Sequence, residues 1–280
     1  MNMRPNPEFL NLPHPFWADV RTISQKIGYQ RGGVFAIPSP RQVVEAYIEL
    51  GLNPGHLVTE GEFTDGGAQV VAYLRYRGLV ISSQVKPQLM DAKAAKSLFE
   101  DTAARLNPIR SPQPMNKQSG EKRAPAYLTC LVNMLIEHEI GSHPCDFDPR
   151  ELTSITRHGR PLRTLARRMD GAFPSANNPI AVWEIKEYYY TTTFGSRIAD
   201  GVYETMLDGL ELMELREHEG IEVEHILIVD AFETWWEMGK SYLCRMIDML
   251  HMGHVSEVLF GREVVDRLPT LARLWVSRLP

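Results

Sequence analysis

The sequence predicts an α/β protein in which a central mixed sheet is flanked by helices and preceded by a mainly helical N-terminal region. Two segments rich in β-branched and aromatic residues, at residues 180–190 and 224–236, predict strands. Residues 196–220 lie between them and carry apolar side chains at helical spacing. A helix that separates two apolar strands favours a sheet covered by helices.

The composition is that of an ordinary soluble globular protein. The 280 residues are 44% hydrophobic and 23% charged, with a formal net charge of −5. No apolar run approaches the roughly 20 residues that cross a membrane, so no membrane association is expected. Three widely spaced cysteines argue against a disulfide framework and favour a cytoplasmic location. The negative charge confines any nucleic-acid surface to a local basic patch.

The N-terminal region, residues 1–115, is expected to serve in DNA recognition or dimerisation. Its predicted helices cover residues 39–53, 65–81 and 90–107. Ser39 is expected to cap the first helix, and Gly78 to end the second before a short extended piece. A helix-turn-helix unit and a plain helical subdomain both fit this pattern.

A long exposed loop is predicted at residues 107–125, which are rich in Pro, Ser, Asn and basic residues. The loop either follows a phosphate backbone or serves as a solvated linker. The predicted boundary lies within it, so that the C-terminal domain covers residues 116–280. That domain opens with an amphipathic helix at residues 127–140.

Charged residues interrupt the apolar strand predicted at residues 180–190. Glu184 and Lys186 are two residues apart and therefore share one face of the strand. Asp170 is far enough upstream for a turn to bring it beside Glu184. Two adjacent carboxylates repel each other unless a cation neutralises them, and their oxygens suit Mg²⁺.

We therefore expect Asp170, Glu184 and the backbone carbonyl of Ile185 to bind Mg²⁺. Beside such a metal, Lys186 is suited to orient a water or to offset charge on a phosphorane. The alternative is an edge strand that carries an exposed Glu–Lys pair without catalytic function.

The pattern of Asp170 followed by Glu184, Ile185 and Lys186 resembles the D…(D/E)xK signature of the PD-(D/E)xK nucleases, the fold shared by type II restriction endonucleases. The core of that family runs helix, three strands, helix, strand, and the order predicted for residues 124–236 agrees with it. The resemblance implies a restriction-endonuclease-like core that hydrolyses phosphodiester bonds with Mg²⁺, or with Mn²⁺ in its place. It makes the two acids metal ligands and the lysine a water-orienting residue.

Some members of that family add an acid from the helix before the sheet. Glu137 and Glu139 are the candidates here, and both lie near the end of the helix at residues 127–140. Glu137 lies beside the apolar stripe of that helix, so it is the expected catalytic residue, and Glu139 is expected to be solvated.

Contacts with the DNA backbone are predicted on both sides of the strand. The residues expected to make them are Ser196, Arg197, Arg163, Arg167 and Arg168. The first two begin the helix after the strand, where a serine cap and free N–H groups favour an anion. The three arginines belong to a basic stretch before Asp170. They either contact phosphates or pair with the glutamates of residues 211–224.

The function expected from these observations is that of a Mg²⁺-dependent DNA endonuclease of the restriction type, as in restriction–modification. Because a double-strand cut needs two active sites, a homodimer on double-stranded DNA is expected. Two alternatives stay open. One is a non-catalytic DNA-binding or scaffold protein with a nuclease-like fold, and the other is a nuclease that acts on RNA or damaged DNA.

Overall fold

The N-terminal region is mainly helical, as predicted. The computed structural model describes residues 5–10, 12–118 and 121–279, without the side chains of residues 117, 118, 121–123 and 197. The first elements are α1 (His14–Ile27), the strands β1 (Gln30–Arg31) and β2 (Val34–Phe35), α2 (Pro40–Glu49), the strands β3 (Val58–Thr59) and β4 (Glu62–Phe63), α3 (Asp65–Val80) and α4 (Ala92–Leu106). Helix α1 is an addition to the predicted set.

Of the two predicted helix ends in this region, the start at Ser39 is confirmed and the stop at Gly78 is wrong. Ser39 and Gln42 form a reciprocal capping box at the start of α2, which confirms the predicted cap. The predicted stop at Gly78 is wrong, because α3 continues to Val80 and runs into a π-helical turn at Ile81–Val85. A Cβ at Gly78 would lie 2.8 Å from Phe35, so the glycine permits close packing and does not end the helix.

The loop predicted at residues 107–125 is partly wrong. Its second half is a hairpin of β5 (Met115–Gln118) and β6 (Glu121–Pro125). Its first half is held by hydrogen bonds to the carboxylate of Glu137. Backbone groups that find partners in this way do not behave as a free linker.

A five-stranded mixed sheet forms the centre of the C-terminal part. In chain order the elements are α5 (Tyr127–Ile140), β7 (Asp146–Phe147), the hairpin of β8 (Ser154–Arg157) and β9 (Arg160–Thr164), β10 (Gly171–Phe173), β11 (Ala181–Glu187), α6 (Ser196–Glu219), β12 (Glu224–Asp230), α7 (Lys240–His251), β13 (Glu257–Phe260) and α8 (Val264–Ser277). The strand order is β13-β12-β11-β10-β7. Strand β10 is antiparallel to both its neighbours, and β11, β12 and β13 are mutually parallel. The predicted mixed sheet flanked by helices is thus confirmed at this level.

Strand β11 lies in the middle of the sheet, so the alternative of an edge strand is wrong. Its side chains alternate between two helical layers. Trp183 packs in the core formed with α5 and α8. Val182 packs with residues of α6, and Lys186 approaches Gly201 of the same helix. Glu184 and Lys186 therefore lie between the sheet and α6.

A buried ion pair joins the N-terminal region to α7 of the C-terminal part. Arg77 of α3 donates from Nη1 to both carboxylate oxygens of Asp248 in α7, at 3.0 and 2.9 Å. The hydroxyl of Tyr73 donates to the same carboxylate at 2.5 Å, and Arg77 also reaches Ser24 of α1. The two regions consequently share hydrogen-bonded and apolar packing. Among the described residues, no helix is both long and apolar enough to span a membrane.

Candidate functional site

The site is built where β10 and β11 pair. Gly171 lies opposite Trp183, and a Cβ at Gly171 would overlap the indole, so the pairing requires glycine there. The N–H of Asp170 donates to the carbonyl of Trp183 at 3.1 Å, which extends the pairing by one residue. Asp170 therefore lies across from Glu184, as the spacing predicts.

The carboxylate of Asp170 contacts the backbone of the neighbouring strand. Its Oδ2 accepts a hydrogen bond from the N–H of Ile185 at 2.7 Å. Burial raises the pKa of Asp170 to about 6, and the nearby charge of Glu184 adds to the rise, while Lys186 and Arg167 oppose it. This carboxyl is thus costly to ionise in the absence of a further cation.

Glu184 and Lys186 form a pair that is shielded from water. Lys186 Nζ donates to Glu184 Oε2 at 2.7 Å. The two residues are 0% and 6% exposed, so the alternative of an exposed pair is wrong. Burial opposes the charge on Lys186, but Glu184 and Asp170 outweigh it and raise the pKa of the ammonium. Arg167 Nη1 lies 2.9 Å from Glu184 Oε1, but it is not aligned for a hydrogen bond.

Two further acids reach this place from α6. Asp208 Oδ2 accepts a hydrogen bond from Arg167 Nη1 at 2.6 Å, and Glu204 lies 3.4 Å from Arg167 Nη2. Burial raises the pKa of Asp208 to about 7, although Arg167 opposes the shift. We call Asp170, Glu184, Glu204 and Asp208 the acidic cluster. Its four carboxyls outnumber the two cations, Arg167 and Lys186.

The two acids of α6 escaped sequence analysis. Their signal is weak, since Glu204 and Asp208 are four residues apart on a helix otherwise rich in exposed acids. Only the position of α6 on the sheet distinguishes this pair from the solvated glutamates that follow.

Glu137 is not brought to the acidic cluster, which corrects the prediction of a catalytic acid from α5. Helix α5 packs on the opposite face of the sheet from α6. The carboxylate of Glu137 accepts hydrogen bonds from the N–H groups of Ile109, Arg110 and Ser111 at 2.8–3.0 Å. Burial opposes its charge, but the hydrogen bonds from the loop lower its pKa to about 2. Glu137 organises a loop.

The predicted DNA contacts have different surroundings. Ser196 is the first residue of α6 and not its cap, because Gly195 takes that position without a side-chain hydrogen bond. The side chain of Arg197 lies outside the described residues. Arg163 pairs with Glu214 of α6 at 2.7 Å. Arg168 is exposed and forms no ion pair within the part of the chain that the structure describes.

The carboxylates of Asp170 and Glu184 are donors of the type that a divalent cation prefers. No group of three or more His, Cys, Asp or Glu side chains among those described is arranged to hold a metal. Asp170 and Glu184 nevertheless supply two hard carboxylates, and Mg²⁺ is commonly held by one or two carboxylates with waters. Glu184 Oε1 is buried without a hydrogen bond. The type of donor and the excess of acid therefore fit Mg²⁺.

The chain was compared with protein families, curated proteins and solved structures. A family model described as "Domain of unknown function (DUF7687)" matches residues 90–275, which is more than half of the chain. The chain belongs to the DUF7687 family. The DUF7687 match includes the five-stranded sheet and the whole acidic cluster. A second model, "Domain of unknown function (DUF7690)", matches residues 3–84. No curated protein and no solved structure matches.

The two family matches meet between residues 84 and 90. The DUF7687 match therefore begins before α4 and includes the hairpin of β5 and β6. The division of the chain into residues 1–115 and 116–280 stays a prediction.

The substitution Asp170→Asn should stabilise the metal-free protein at pH 8 but not at pH 4. The pKa of Asp170 in the folded protein, about 6, lies above the ordinary value of 3.8. The native state therefore binds more protons than the unfolded state between these values, and stability falls as the pH rises through them. This difference in pKa corresponds to at most about 3 kcal/mol.

This effect can be measured by urea unfolding in EDTA at both pH values. Asp101→Asn, at an exposed position of α4, is the matched control and should change stability equally little at both. If Asp170→Asn shows the same small difference from wild type at pH 4 and pH 8, neither burial nor the charge of Glu184 destabilises the ionised form of Asp170.

Proposed function

We propose that the chain is a Mg²⁺-dependent DNA endonuclease of the restriction type, which hydrolyses phosphodiester bonds in double-stranded DNA. The observation that carries the proposal is the placement of Asp170 across from Glu184, with Lys186 on the same face of β11. These three side chains occupy adjacent positions of two paired strands, as the signature of the PD-(D/E)xK nucleases requires.

The order of elements also supports this proposal. Helix α5, strands β7, β10 and β11, helix α6 and strand β12 follow the order helix, three strands, helix, strand. The first three of these strands pair in antiparallel fashion, and β12 is parallel to β11. The hairpin of β8 and β9 is an addition outside the five-stranded sheet.

Each charged group would have a distinct task. Bound Mg²⁺, or Mn²⁺ in its place, supplies a Lewis acid that polarises the phosphodiester and acidifies a water. Asp170 and Glu184 would hold it, with the carbonyl of Ile185 as the third protein ligand. Lys186 Nζ would orient the attacking water or offset charge on the phosphorane.

Arg167 lies between the buried Glu184 and solvent, beside the more exposed Glu204. The side chains of Arg167 and Glu204 are 25% and 48% exposed, whereas that of Glu184 is 0% exposed. A phosphate that approaches Glu184 from this side meets the guanidinium of Arg167 together with the carboxylate of Glu204. Arginine binds phosphate as readily as carboxylate, so Arg167 is the best placed of the predicted DNA-binding residues. Arg163, Arg168, Ser196 and Arg197 remain proposed contacts.

Cleavage assays test the proposal directly. Purified protein is incubated with double-stranded DNA of mixed sequence in Mg²⁺ or in EDTA, and the ends are sequenced. We expect the wild-type protein to cleave DNA in Mg²⁺ but not in EDTA. The variants Glu184→Gln and Asp170→Ala should lose cleavage but still bind DNA in Ca²⁺. Glu217→Gln, on the exposed face of α6, is the matched control and should cleave normally. Full activity of either cluster variant would reject the assignment.

Binding of a divalent cation should also stabilise the fold. Mg²⁺ or Ca²⁺ at millimolar concentration should raise the melting temperature, because a ligand that binds only the native state shifts the equilibrium by mass action. The shift should vanish in Glu184→Gln and persist in Glu217→Gln. If neither ion changes the melting temperature of the wild-type protein, the proposed metal site is contradicted even if the protein cuts DNA.

One observation favours a non-catalytic protein with a nuclease-like fold. Glu184 is fully buried, and Lys186 and Arg167 already neutralise it, which is the arrangement of a structural ion network. A DNA-binding or scaffold role would follow if the protein bound DNA, cut none in Mg²⁺ or Mn²⁺ and showed no metal-dependent melting. RNA and damaged duplexes in the same assay test the remaining alternative for the substrate.

A homodimer belongs to this proposal, because a double-strand cut needs two active sites. Sedimentation of the protein on a short duplex in Ca²⁺ should show two chains per duplex. One chain per duplex, with nicked products, would instead indicate single-strand cleavage.

A further inference from the structure

A cavity of about 580 Å³ lies between α1, α6 and α7. Volumes of this size are typical of sites for small organic ligands. Side chains of mixed character line it, among them Arg21, Tyr29, Tyr203, Met206, Arg245 and Met249. Tyr203 is 44% exposed, so the cavity opens to solvent along α6. The acidic cluster contributes no residue to this lining.

The cavity carries positive charge that no carboxylate balances. Neither Arg21 nor Arg245 forms an ion pair within the described residues, and Arg245 Nη1 is shielded from solvent and has no hydrogen-bond acceptor among them. Arg21 Nη2 donates a hydrogen bond to the sulfur of Met252 at 3.3 Å, and Arg21 forms no other side-chain hydrogen bond with the described residues. The acid in the wall, Asp248, is already neutralised by Arg77 at 2.9 Å. An anionic ligand would supply the missing partner.

Aromatic rings hold one of these cations in place. The guanidinium of Arg245 lies 4.4 Å from the ring centroid of Tyr242, 5.5 Å from that of Tyr203 and 5.6 Å from that of Tyr29. Arg245 Nε also donates to the hydroxyl of Tyr29 at 3.4 Å. A guanidinium fixed in this way loses little freedom on binding an anion, and Tyr203 and Tyr29 provide flat surfaces beside it.

We infer that this cavity binds a nucleotide. Its phosphate would accept hydrogen bonds from Arg245 and Arg21, because guanidinium groups match phosphate oxygens in shape and charge. Its base would lie against a tyrosine ring, since every base offers a flat face for stacking. Met206 and Met249 add an apolar wall that suits the rim of a base or ribose. The inference is independent of the proposed cleavage of DNA.

Isothermal titration calorimetry with defined probes tests this site. The four nucleoside 5′-monophosphates, adenosine and inorganic phosphate are each titrated into the whole 280-residue chain at low salt. At least one monophosphate should bind at least tenfold more tightly than adenosine or phosphate. Arg245→Met and Arg21→Met should each weaken it at least tenfold. Arg75→Met, at an exposed position of α3 outside the cavity, should bind as the wild type does.

Three results would overturn the inference. The first is no binding of any monophosphate at millimolar concentration. The second is phosphate binding as tight as that of the best monophosphate, which would reduce the site to one for simple anions. The third is wild-type affinity in Arg21→Met. That side chain is exposed, so its substitution leaves the fold intact even if Arg245→Met is unstable.

Discussion

Replacing Lys186 with methionine should slow single-turnover DNA cleavage by about 10²–10³-fold at saturating enzyme. Methionine occupies a similar volume, but it neither orients a water nor offsets charge on the phosphate. DNA and metal binding should persist, because Lys186 is not among the proposed ligands. Lys186→Arg keeps the charge but differs in reach and hydration, so it should restore little of the rate.

The same substitution should lower the free energy of unfolding by about 3 kcal/mol. On a solvated face, the loss of such an ion pair would cost about 0–1 kcal/mol. Lys186 is instead 6% exposed and 2.7 Å from Glu184, so its removal leaves a buried carboxylate without its nearest cation. This loss lies at the low end of the cost of breaking a buried ion pair, because Arg167 remains 2.9 Å from Oε1 of Glu184.

Because the substitution is expected to change both stability and rate, the rates must be compared at a temperature where circular dichroism shows both proteins folded. Lys93→Met, on the exposed surface of α4, is the matched control and should leave both quantities unchanged. A folded Lys186→Met protein that cleaves within about threefold of the wild-type rate would leave a catalytic role for Lys186 without support.

Replacing Asp248 with alanine should lower the free energy of unfolding by about 3–5 kcal/mol. Arg77 is 4% exposed, and both of its contacts with Asp248 are within hydrogen-bonding distance. The substitution therefore leaves a guanidinium buried without its counter-ion, and it also removes the acceptor of the Tyr73 hydroxyl. Urea unfolding at pH 7 measures the loss.

A double variant separates the ion pair from the packing around it. Arg77→Met with Asp248→Leu removes both charges and should recover much of the stability that Asp248→Ala loses, because no unpaired charge remains. Lys96→Ala breaks an exposed pair with Glu100 on α4 and should leave the unfolding midpoint nearly unchanged. A loss below about 1 kcal/mol in Asp248→Ala would show that the buried pair stabilises the fold little.

Sequence patterns predicted the elements whose signal is local. Helices α3, α4, α5 and α6 and strand β11 lie within a few residues of their predicted positions. The strand predicted at residues 224–236 is wrong in its second half, because β12 ends at Asp230 and a π-helical turn covers Glu233–Met238. Strand β13 was missed because its four residues, of which three are apolar, are too few to show a period. Helix α1 was missed although Pro15 in its first turn is typical of a helix start.

The surroundings of the candidate site depend on packing, which the sequence does not display. The spacing correctly placed Asp170 beside Glu184. Strand periodicity predicted a shared face for Glu184 and Lys186, but it did not reveal that α6 covers that face. Helical spacing predicted which face of α5 carries Glu137, but it could not predict which face of the sheet α5 covers. The helix packs on the side opposite the acidic cluster. The side chains that come from a distant element are Glu204 and Asp208 of α6, which complete the acidic cluster.

The junction between the two family segments lies inside the packing of the molecule. The DUF7690 match ends at residue 84, between Ile81 and Val85. Both residues are buried in one apolar cluster with Trp235 and Leu243. Natural domain boundaries usually fall in exposed linkers that few contacts cross. Truncation at this junction would expose a contiguous apolar surface of the kind that promotes aggregation. Activity lost by such a fragment would report misfolding, so point substitutions are the sounder means of assigning roles to the two segments.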